Sequence, residues 1–354
     1  MIPGGKLLSN GATKTDHLIV QDLGTTVGNN LFHNFRTFDI EAGKSATFTG
    51  PDSIANIIGR ITGGSASTIN GLLASTIDNA NVFLMNPNGV IFGPQATIDI
   101  KGAFYTTTAN VINLGDNGIF HADTTMTNVL TTAPPEAFGF LGPNAPTLDP
   151  KSTAAIEIQN LNIKGSDLTV VGRDGLVKET LVPSVKVAMA LKTEGGILTM
   201  ASVASHGNAT LGSINIEDFP AQGHITINSG GTIDTRQVKP SGILNGGDIM
   251  VQGGVFVMES GSAIDTGATE LAAFGGGPPP PPGSPPSPRV AARHRPRAFL
   301  AHLLRLAPDS RRHHPQLRDH LLLVSVCHRL PVPDRPLHQQ GEPLLKPERG
   351  MSSS

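Results

Sequence analysis

The side chains of this sequence that could carry chemistry do not fall into the patterns that catalysis needs. The run at 42–45 (AGKS) ends like a phosphate-binding loop, but the glycine that such a loop requires five positions before Gly43 is Phe38. No serine lies in a GxSxG elbow. The sequence therefore predicts no catalytic residue, no metal site, no cofactor and no enzyme activity. The histidines before the tail lack paired metal-ligand spacing: His17, His33, His121, His206 and His224.

The chain of 354 residues joins two segments of different composition. Residues 1–277 carry 14 Lys+Arg against 23 Asp+Glu, a net charge of −9, and are rich in Gly, Asn, Thr, Ser, Ile and Val. Residues 278–354 carry 12 basic and 5 acidic residues, a net charge of +7. Partners must therefore be argued separately for the two segments, and no nucleic-acid partner is predicted.

The N-terminus does not read as a targeting segment. It has Lys6 but no apolar run long enough for the core of a signal peptide. No stretch of about eighteen apolar residues predicts a membrane-spanning helix. Cys327 is the only cysteine, so no intrachain disulfide can form. If the protein is exported, we expect its signal peptide to lie outside this chain.

The strongest local signal is the turn sequence Asn86-Pro87-Asn88-Gly89 between two apolar runs. Asparagine at the first position accepts a local hydrogen bond, proline presets φ, and glycine supplies a positive φ at the end. This pattern predicts a tight type I turn between two strands. A rigid, exposed turn can also be recognised by a partner.

The elements that position this turn are predicted to be short strands. Residues 31–38 alternate apolar and polar residues, which is typical of a half-buried strand. Residues 53–60 (SIANIIGR) are predicted as a short helix on Ile54, Ile57 and Ile58. Residues 115–155 are less regular and are predicted as a loop rather than core strands.

From Ile156 to Thr266 the sequence repeats itself. GGTIDT at 230–235 returns as GSAIDT at 261–266, and GHITI at 223–227 resembles GDIMV at 247–251. Short strands without intervening helices argue against a βαβ fold, and repetition at 20–30 residues predicts a solenoid, here a parallel β-helix. An immunoglobulin-like sandwich is the competing fold. About ten rungs are expected, with these inward residues: Ile214, Ile216, Ile225, Ile227, Ile249 and Val251.

An open end of a β-helix exposes unpaired backbone groups and needs a cover. The strand at 31–38 is the best candidate for this cap, because exposed phenylalanine would otherwise be costly. The cap candidates are Phe32, Phe35 and Phe38. Ordinary core positions in the same fold are the alternative reading of these three residues.

Several segments together resemble the N-terminal secretion domain of filamentous-haemagglutinin-like exoproteins, the haemagglutination-activity domain of two-partner secretion systems in Gram-negative bacteria. They are VGNNLFHNFRTFDI, IIGRITGG, STINGLL and VFLMNPNGVIFGPQATIDIKGAFYTTTANVI, in this order. The resemblance runs from about Leu23 to Leu114, and the later stretch APPEAFGFLG is similar to the same family's continuation.

The resemblance implies a right-handed parallel β-helix with an N-terminal cap. It also implies a partner, an outer-membrane β-barrel transporter that recognises the domain in the periplasm, with folding outside the cell. The family's turn role carries over to Asn86, Pro87, Asn88 and Gly89. Many members have a second, NPNL-type turn upstream, where this chain has Gly50-Pro51-Asp52-Ser53. The expected product is a secreted or cell-surface adhesin whose further partners are surface glycans or proteins of a host or neighbouring cell.

These readings divide the chain into four parts. Residues 1–23 are a lead-in, 24–155 form the secretion domain with the cap and first coils, and 156–274 form the β-helical shaft. Residues 275–354 are a proline-rich linker and a tail that we predict to be disordered or read out of frame.

Two other functions stay open at this level. A polysaccharide lyase or hydrolase on a β-helix would need carboxylates that converge in a groove, whereas Asp99, Asp234 and Asp265 are predicted to be solvated strand ends. A contact-dependent toxin would need a distinct C-terminal effector domain, which the tail does not resemble.

Overall fold

The computed structural model describes residues 16–141, 154–177, 180–183, 185–212, 214–238 and 244–266, and three short strands beyond them. These residues contain one 3-10 turn at Gln21–Leu23 and no α-helix. The strands, in chain order, are β1 (Asp16–Val20), β2 (Thr25–Val27), β3 (Asn30–Phe35), β4 (Ser45–Thr49), β5 (Asn56–Ile61), β6 (Ser67–Ile69), β7 (Leu72–Ser75), β8 (Asn81–Met85), β9 (Val90–Phe92), β10 (Ala96–Asp99), β11 (Phe104–Thr107), β12 (Val111–Leu114), β13 (Gly118–His121), β14 (Pro135–Phe140), β15 (Ile156–Ile163), β16 (Leu168–Arg173), β17 (Gly175–Val177), β18 (Thr180–Val182), β19 (Val185–Lys192), β20 (Leu198–Val203), β21 (Gly207–Thr210), β22 (His224–Ile227), β23 (Thr232–Asp234), β24 (Arg236–Val238), β25 (Leu244–Gly246), β26 (Ile249–Gln252), β27 (Val255–Met258), β28 (Ala263–Asp265), β29 (Ala301–His302), β30 (Leu322–Leu323) and β31 (Ser325–Val326).

Short strands stack in parallel from one coil to the next, which confirms the predicted parallel β-helix. The eight-stranded sheet runs β2-β3-β5-β8-β11-β16-β20-β26, and every pair from β3 onward is parallel. Seven rungs stack on this face, fewer than the predicted ten, because long insertions after β11 and β20 use chain that was counted as coils. These parallel ladders exclude the sandwich as the main architecture.

The thirteen-stranded sheet forms the other two faces of the coil. In the early coils, separate strands lie on these faces, so that β9 and β10 follow one another around the corner. The later strands β15 and β19 are long enough to serve both faces: the first half of β15 pairs with β9, and its second half pairs with β10. Each coil therefore has three sides around one interior.

One of the two predicted repeats is a true stacking repeat. Ile233 of GGTIDT lies beside Ile264 of GSAIDT in adjacent parallel strands. The likeness of GHITI to GDIMV is misleading, because β22 pairs with β27 in the thirteen-stranded sheet while β26 belongs to the eight-stranded sheet. Alternating apolar residues occur on every face, so likeness alone does not identify the stacking partner.

The interior is a continuous column of apolar side chains. It includes Ile225 and Ile227, both fully buried, and Val251, while Ile249 packs against it partly buried. These four agree with the predicted inward positions. Ile214 and Ile216 do not, because they lie in a second apolar cluster outside the coil. Burial at roughly 25 cal/mol per Å² makes the stacked column the main stabilising contribution.

The second cluster lies between the eight-stranded sheet and a four-stranded antiparallel sheet, ordered β13-β12-β14-β21. Three of these strands come from the insertion after β11 and the fourth from the insertion after β20. The prediction of a loop over 115–155 is wrong for β13 and β14. Phe138 of β14 is fully buried, because it packs against the outer face of the coil. Residues 142–153 lie outside the described residues.

The predicted helix over 53–60 is also wrong. The segment contains a turn and then strand β5, whose six residues are all buried. Ile57 faces the coil interior and Ile58 faces the second cluster. A strand buried on both faces shows a continuous apolar run, and such a short run cannot be told from a helix by periodicity.

Candidate recognition turn and its surroundings

The turn after β8 has the conformation that its sequence predicts. The backbone carbonyl of Asn86 accepts a hydrogen bond from the Gly89 N–H at 3.0 Å. The side-chain Oδ1 of Asn86 accepts another from the Asn88 N–H at 2.9 Å. Gly89 has φ +110°. Asn88 Nδ2 donates to the same Oδ1 at 3.3 Å, so the turn is closed by one backbone bond and two bonds to the Asn86 side chain.

Asn86 is buried and serves as a structural link between coils. Its Nδ2 donates to the carbonyl of Ser65 at 3.0 Å and to Oγ of Ser67 at 3.1 Å. Ser65 and Ser67 belong to the preceding coil. The side chain is fully shielded from solvent. A protein that binds the folded domain therefore cannot contact the Asn86 side chain directly.

Gly89 is fixed by the following coil. A Cβ placed there would lie 2.7 Å from the carbonyl oxygen of Ala155, a separation that real side chains do not show. The Val90 N–H donates to the same oxygen. Glycine is required here both by its positive φ and by this close approach.

The accessible part of the turn is small. Asn88 is exposed and Pro87 is half-buried, whereas Asn86 and Gly89 are buried. The structure therefore places the four predicted site residues together, but it offers only two of them to solvent.

The upstream segment Gly50–Ser53 also forms a turn, closed by a hydrogen bond from the Ile54 N–H to the carbonyl of Pro51. It precedes β5, whereas the Asn86–Gly89 turn follows β8. Because β5 and β8 are parallel neighbours, the two turns lie at opposite ends of the eight-stranded sheet. Five strand residues at roughly 3.3 Å each separate them by about 17 Å.

The N-terminal end of the coil is covered by residues before the predicted cap strand. β2 pairs antiparallel with β3 and forms the edge of the eight-stranded sheet. Phe35 and Phe38 lie in the coil interior, with ring centroids 4.9 Å apart. Phe32 points the other way, into the second cluster, against Phe120. The strand β3 (Asn30–Phe35) is thus second in the stack and ends before Phe38, and a capping role of the three phenylalanines stays a prediction.

Sequence reasoning missed a buried histidine at this end. His33 is 1% exposed, and its ring lies 5.5 Å from that of Phe48 and 5.7 Å from that of Phe35. Desolvation lowers the pKa of His33 to about 4, although a hydrogen bond to the backbone of Leu23 opposes the change. The imidazole is therefore neutral at pH 7. Its position in a strand of alternating aromatic residues was the sequence signal that could have predicted this burial.

Sequence reasoning also missed the polar links that hold the four-stranded sheet to the coil. The Arg60 guanidinium bonds the carbonyl of His121 and Oδ1 of Asn128, and it lies 4.4 Å from the ring centroid of Phe120. Asn30 Nδ2 donates to the carbonyls of residues 131 and 133. Burial lowers the pKa of Arg60, but the guanidinium remains charged.

An asparagine ladder continues this link along the coil. Asn56 Nδ2 donates to Oδ1 of Asn30 at 2.9 Å, and Asn81 Nδ2 donates to Oδ1 of Asn56 at 3.2 Å. The spacing of these asparagines, 26 and 25 residues, is the coil length in this region. That spacing was the sequence signal that could have fixed the register.

One cluster contains the residue types of a hydrolytic triad but not its arrangement. The Asp174 carboxylate is fully buried and accepts from Ser202 Oγ at 2.9 Å, from the His224 N–H and from His224 Nδ1. Serine and histidine thus share one carboxylate, whereas nucleophilic catalysis needs the histidine between them. The cluster closes a corner of the coil.

The predicted strand-end aspartates are held in surface ion pairs. Lys164 Nζ lies 3.1 Å from the Asp99 carboxylate, and this hydrogen bond lowers the pKa of Asp99. Asp234 and Asp265 are neighbours in register, and Arg236 contacts both at 2.8 Å. The hydrogen bond from Arg236 lowers the pKa of Asp234, so this carboxyl is not poised as a general acid.

The lysine of the phosphate-loop-like run at 42–45 is held in a surface ion pair. Lys44 pairs with Glu41 at 2.6 Å. Among the residues that the structure describes, no group of three or more His, Cys, Asp or Glu could hold a metal ion. The same residues include no helix of sufficient length and apolarity to cross a membrane.

A parallel β-helix with an NPNG turn between two of its strands is the architecture that the resemblance to two-partner secretion domains implies. A model of the TPS secretion domain family, the secretion domain of two-partner systems, matches residues 1–271. The chain belongs to this family, and it is a two-partner-secreted exoprotein.

Two curated relatives are similar over a shorter stretch. One is a heme/hemopexin-binding protein of Haemophilus influenzae strain Rd, 39% identical over 85 residues, which is 24% of this chain and 9% of the relative. Another is a heme/hemopexin-binding protein of Haemophilus influenzae, 39% identical over 74 residues, 21% of this chain and 8% of that protein. The aligned part spans less than a tenth of either relative.

Proposed function

We propose that the domain is recognised by an outer-membrane β-barrel transporter of the two-partner type, and that the turn at Asn86–Gly89 takes part in this recognition. The chain passes through the periplasm and completes its coils at the cell surface, where it acts as the start of an adhesin. The single observation that carries the recognition role is that the turn closes through its own residues. The Gly89 N–H donates to the Asn86 carbonyl and the Asn88 N–H donates to Asn86 Oδ1, so the turn can form in the periplasm before the coils stack. In the stacked coil, Asn86 and Gly89 are buried, while Asn88 and Pro87 face solvent.

The proposed mechanism uses the fold as the driving force for export. Each new coil adds a backbone ladder and buries another layer of apolar side chains, as Ile225 and Ile227 do on the layer before them. Burial at roughly 25 cal/mol per Å² makes each addition favourable. Since a coil cannot re-enter the transporter once it is packed, stacking outside the cell biases passage outward.

This difference in burial also decides which substitution tests recognition. Changing Asn86 removes two bonds to the preceding coil, so a loss of export could come from the fold. Asn88→Ala changes an exposed side chain and is the sharper variant. Asn117→Ala is the control in another exposed turn, and because Asn117 has φ +58°, this substitution perturbs the fold at least as much as Asn88→Ala does.

The test is secretion from a host that expresses a cognate transporter, with the chain fused to a cleavable export signal. We expect Asn88→Ala to lower the secreted amount while its free energy of unfolding stays within about 0.5 kcal/mol of wild type. Asn117→Ala should be secreted normally. Export of Asn88→Ala at the wild-type level would refute a recognition role for the turn.

The rival function, a polysaccharide lyase or hydrolase, gains no support from the described carboxylates. Such an enzyme needs two carboxylates that face one groove. Asp234 and Asp265 are neighbours in register, but Arg236 forms an ion pair with each of them. The relatives' names state that those proteins bind heme and hemopexin, and the aligned part is under a tenth of their length. We therefore propose neither activity for this chain.

A further inference from the structure

A groove of about 470 Å³ lies where the four-stranded sheet meets the outer face of the coil. Its floor is the stacked ring pair of Phe83 and Tyr105, with centroids 4.3 Å apart and planes within 6°. Phe83 is buried, whereas Tyr105 is half-buried and is the outer ring of the pair. Pro135 and Glu136 of β14 and Thr210 of β21 line the groove side by side, because these two strands are antiparallel neighbours.

The charge of the groove is one-sided. The lining contains the exposed Glu136 carboxylate, and none of its described residues is basic. Asp167 lies near the same ring: burial first, and the Asp167 carboxylate second, raise the pKa of the Tyr105 phenol. A half-open site with an aromatic ring and a carboxylate attracts a cation rather than an anion.

We propose that this groove binds an arginine side chain presented by a basic peptide segment of a partner, with the guanidinium over the Tyr105 ring and paired with Glu136. A planar guanidinium stacks on an aromatic face and at the same time donates bidentately to a carboxylate. A lysine ammonium offers only a point charge. The groove, at about 470 Å³, has room for peptide residues beside the arginine, and a free arginine would not use this room.

The inference is independent of the transporter, because the groove and the Asn86–Gly89 turn are different surfaces. The groove lies beside the start of β8, which carries Asn81, and the turn follows the end of the same strand. A variant that abolishes one function should leave the other intact.

Tyr105 supplies its own probe. The chain contains one tyrosine and no tryptophan, so all tyrosine emission of this chain comes from the floor of the groove. The titrant is the peptide RVAARHRPR, the sequence of residues 289–297, which has no tyrosine or tryptophan. It is added to the chain in which Arg289, Arg293, Arg295 and Arg297 are replaced by glutamine, so that the chain's own copy of this sequence does not compete. We expect a saturable change in emission that weakens as salt is raised.

Two comparison titrants define the ligand. The same peptide with every arginine replaced by glutamine should bind at least about tenfold more weakly, and N-acetyl-arginine amide should also be at least about tenfold weaker than the peptide. Absence of a saturable change overturns the proposal. Equal affinity of the glutamine peptide, or of the free arginine amide, overturns it as well.

Variants measured by calorimetry locate the binding. Tyr105→Leu should weaken binding about tenfold, and Glu136→Gln, at an exposed position, about three- to tenfold. Tyr105→Phe keeps the ring and should bind within about twofold of wild type. Asp22→Asn removes an exposed carboxylate at the N-terminal end and is the charge control. If Glu136→Gln binds the peptide as wild type does, the assignment of the groove is wrong.

Discussion

His33 should make the N-terminal coil sensitive to acid. Its pKa is lowered from 6.5 to about 4 in the folded chain because the ring is buried between Phe35 and Phe48. The folded state therefore holds the neutral imidazole where the unfolded chain binds a proton. The stability that follows is fully present above pH 6.5 and is lost as the pH falls from 6.5 to about 4.

The magnitude follows from the width of this window. Each unit of difference between the folded and unfolded pKa is worth about 1.4 kcal/mol. The full shift therefore corresponds to about 3 kcal/mol of unfolding free energy between pH 7 and pH 4. With 1% of its surface exposed, the ring has little solvent to screen the effect.

The variant is His33→Asn, which cannot titrate and keeps a donor for the Leu23 backbone. Urea unfolding of wild type and variant at half-unit intervals from pH 4 to 7.5 measures the effect. We expect the variant to be less stable at pH 7, because packing is lost, but to lose about 3 kcal/mol less on going to pH 4. His206→Asn, at an exposed position, is the control and should keep the wild-type slope. Parallel slopes for wild type and His33→Asn would refute the reasoning.

Two further predictions concern the turn and the sheet that covers the coil. Gly89→Ala should lower the free energy of unfolding by more than about 2 kcal/mol, because φ of Gly89 is positive and the carbonyl oxygen of Ala155 occupies the space of the new Cβ. Gly64 has φ +78° and open space around it, so Gly64→Ala should lower the free energy of unfolding by only about 1 kcal/mol. Equal losses in chemical unfolding would show that the close approach does not matter. Arg60→Met should lower the stability of the four-stranded sheet by about 1–3 kcal/mol, because its bonds to this sheet are lost. The measurement is amide exchange over 118–121, which should become faster. Arg36→Met, at an exposed position, should change neither the stability nor the exchange rate. Unchanged exchange in Arg60→Met would mean that the guanidinium does not hold the sheet.

The coil itself could be predicted from the sequence because its signals are local and repeated. Alternating strands such as 224–227 show their inward side by period two, and GGTIDT returning as GSAIDT marks two stacked coils. The NPNG turn could be predicted for the same reason, since proline and glycine restrict φ at fixed positions. Family resemblance extended these local readings to the whole domain.

The insertions could not be predicted in the same way. The strands β14 and β21 are brought together across about seventy residues, and their pairing depends on a coil face that must first exist. The segment around Ile214 looks like another rung because it alternates, yet it packs outside the coil. Periodicity reports that one side of a strand is buried, and it does not report what buries it.

The candidate site shows the same division. The sequence indicated that Asn86–Gly89 is a rigid turn, but it did not indicate which of the four residues are buried and which are exposed. Only the stack of neighbouring coils, at Ser65 and Ala155, buries Asn86 and Gly89 and leaves Asn88 in solvent.

By itself, the sequence determined the period, the turn chemistry and the class of this protein, because these depend on residues close together in the chain. The tertiary structure decided which side chains are accessible, that His33 is neutral at pH 7, and that Tyr105 and Glu136 line one groove. Burial, desolvation and juxtaposition arise from contacts between neighbouring coils and with the outer sheet, so they exist only after the coils have stacked and the outer sheet has closed over them.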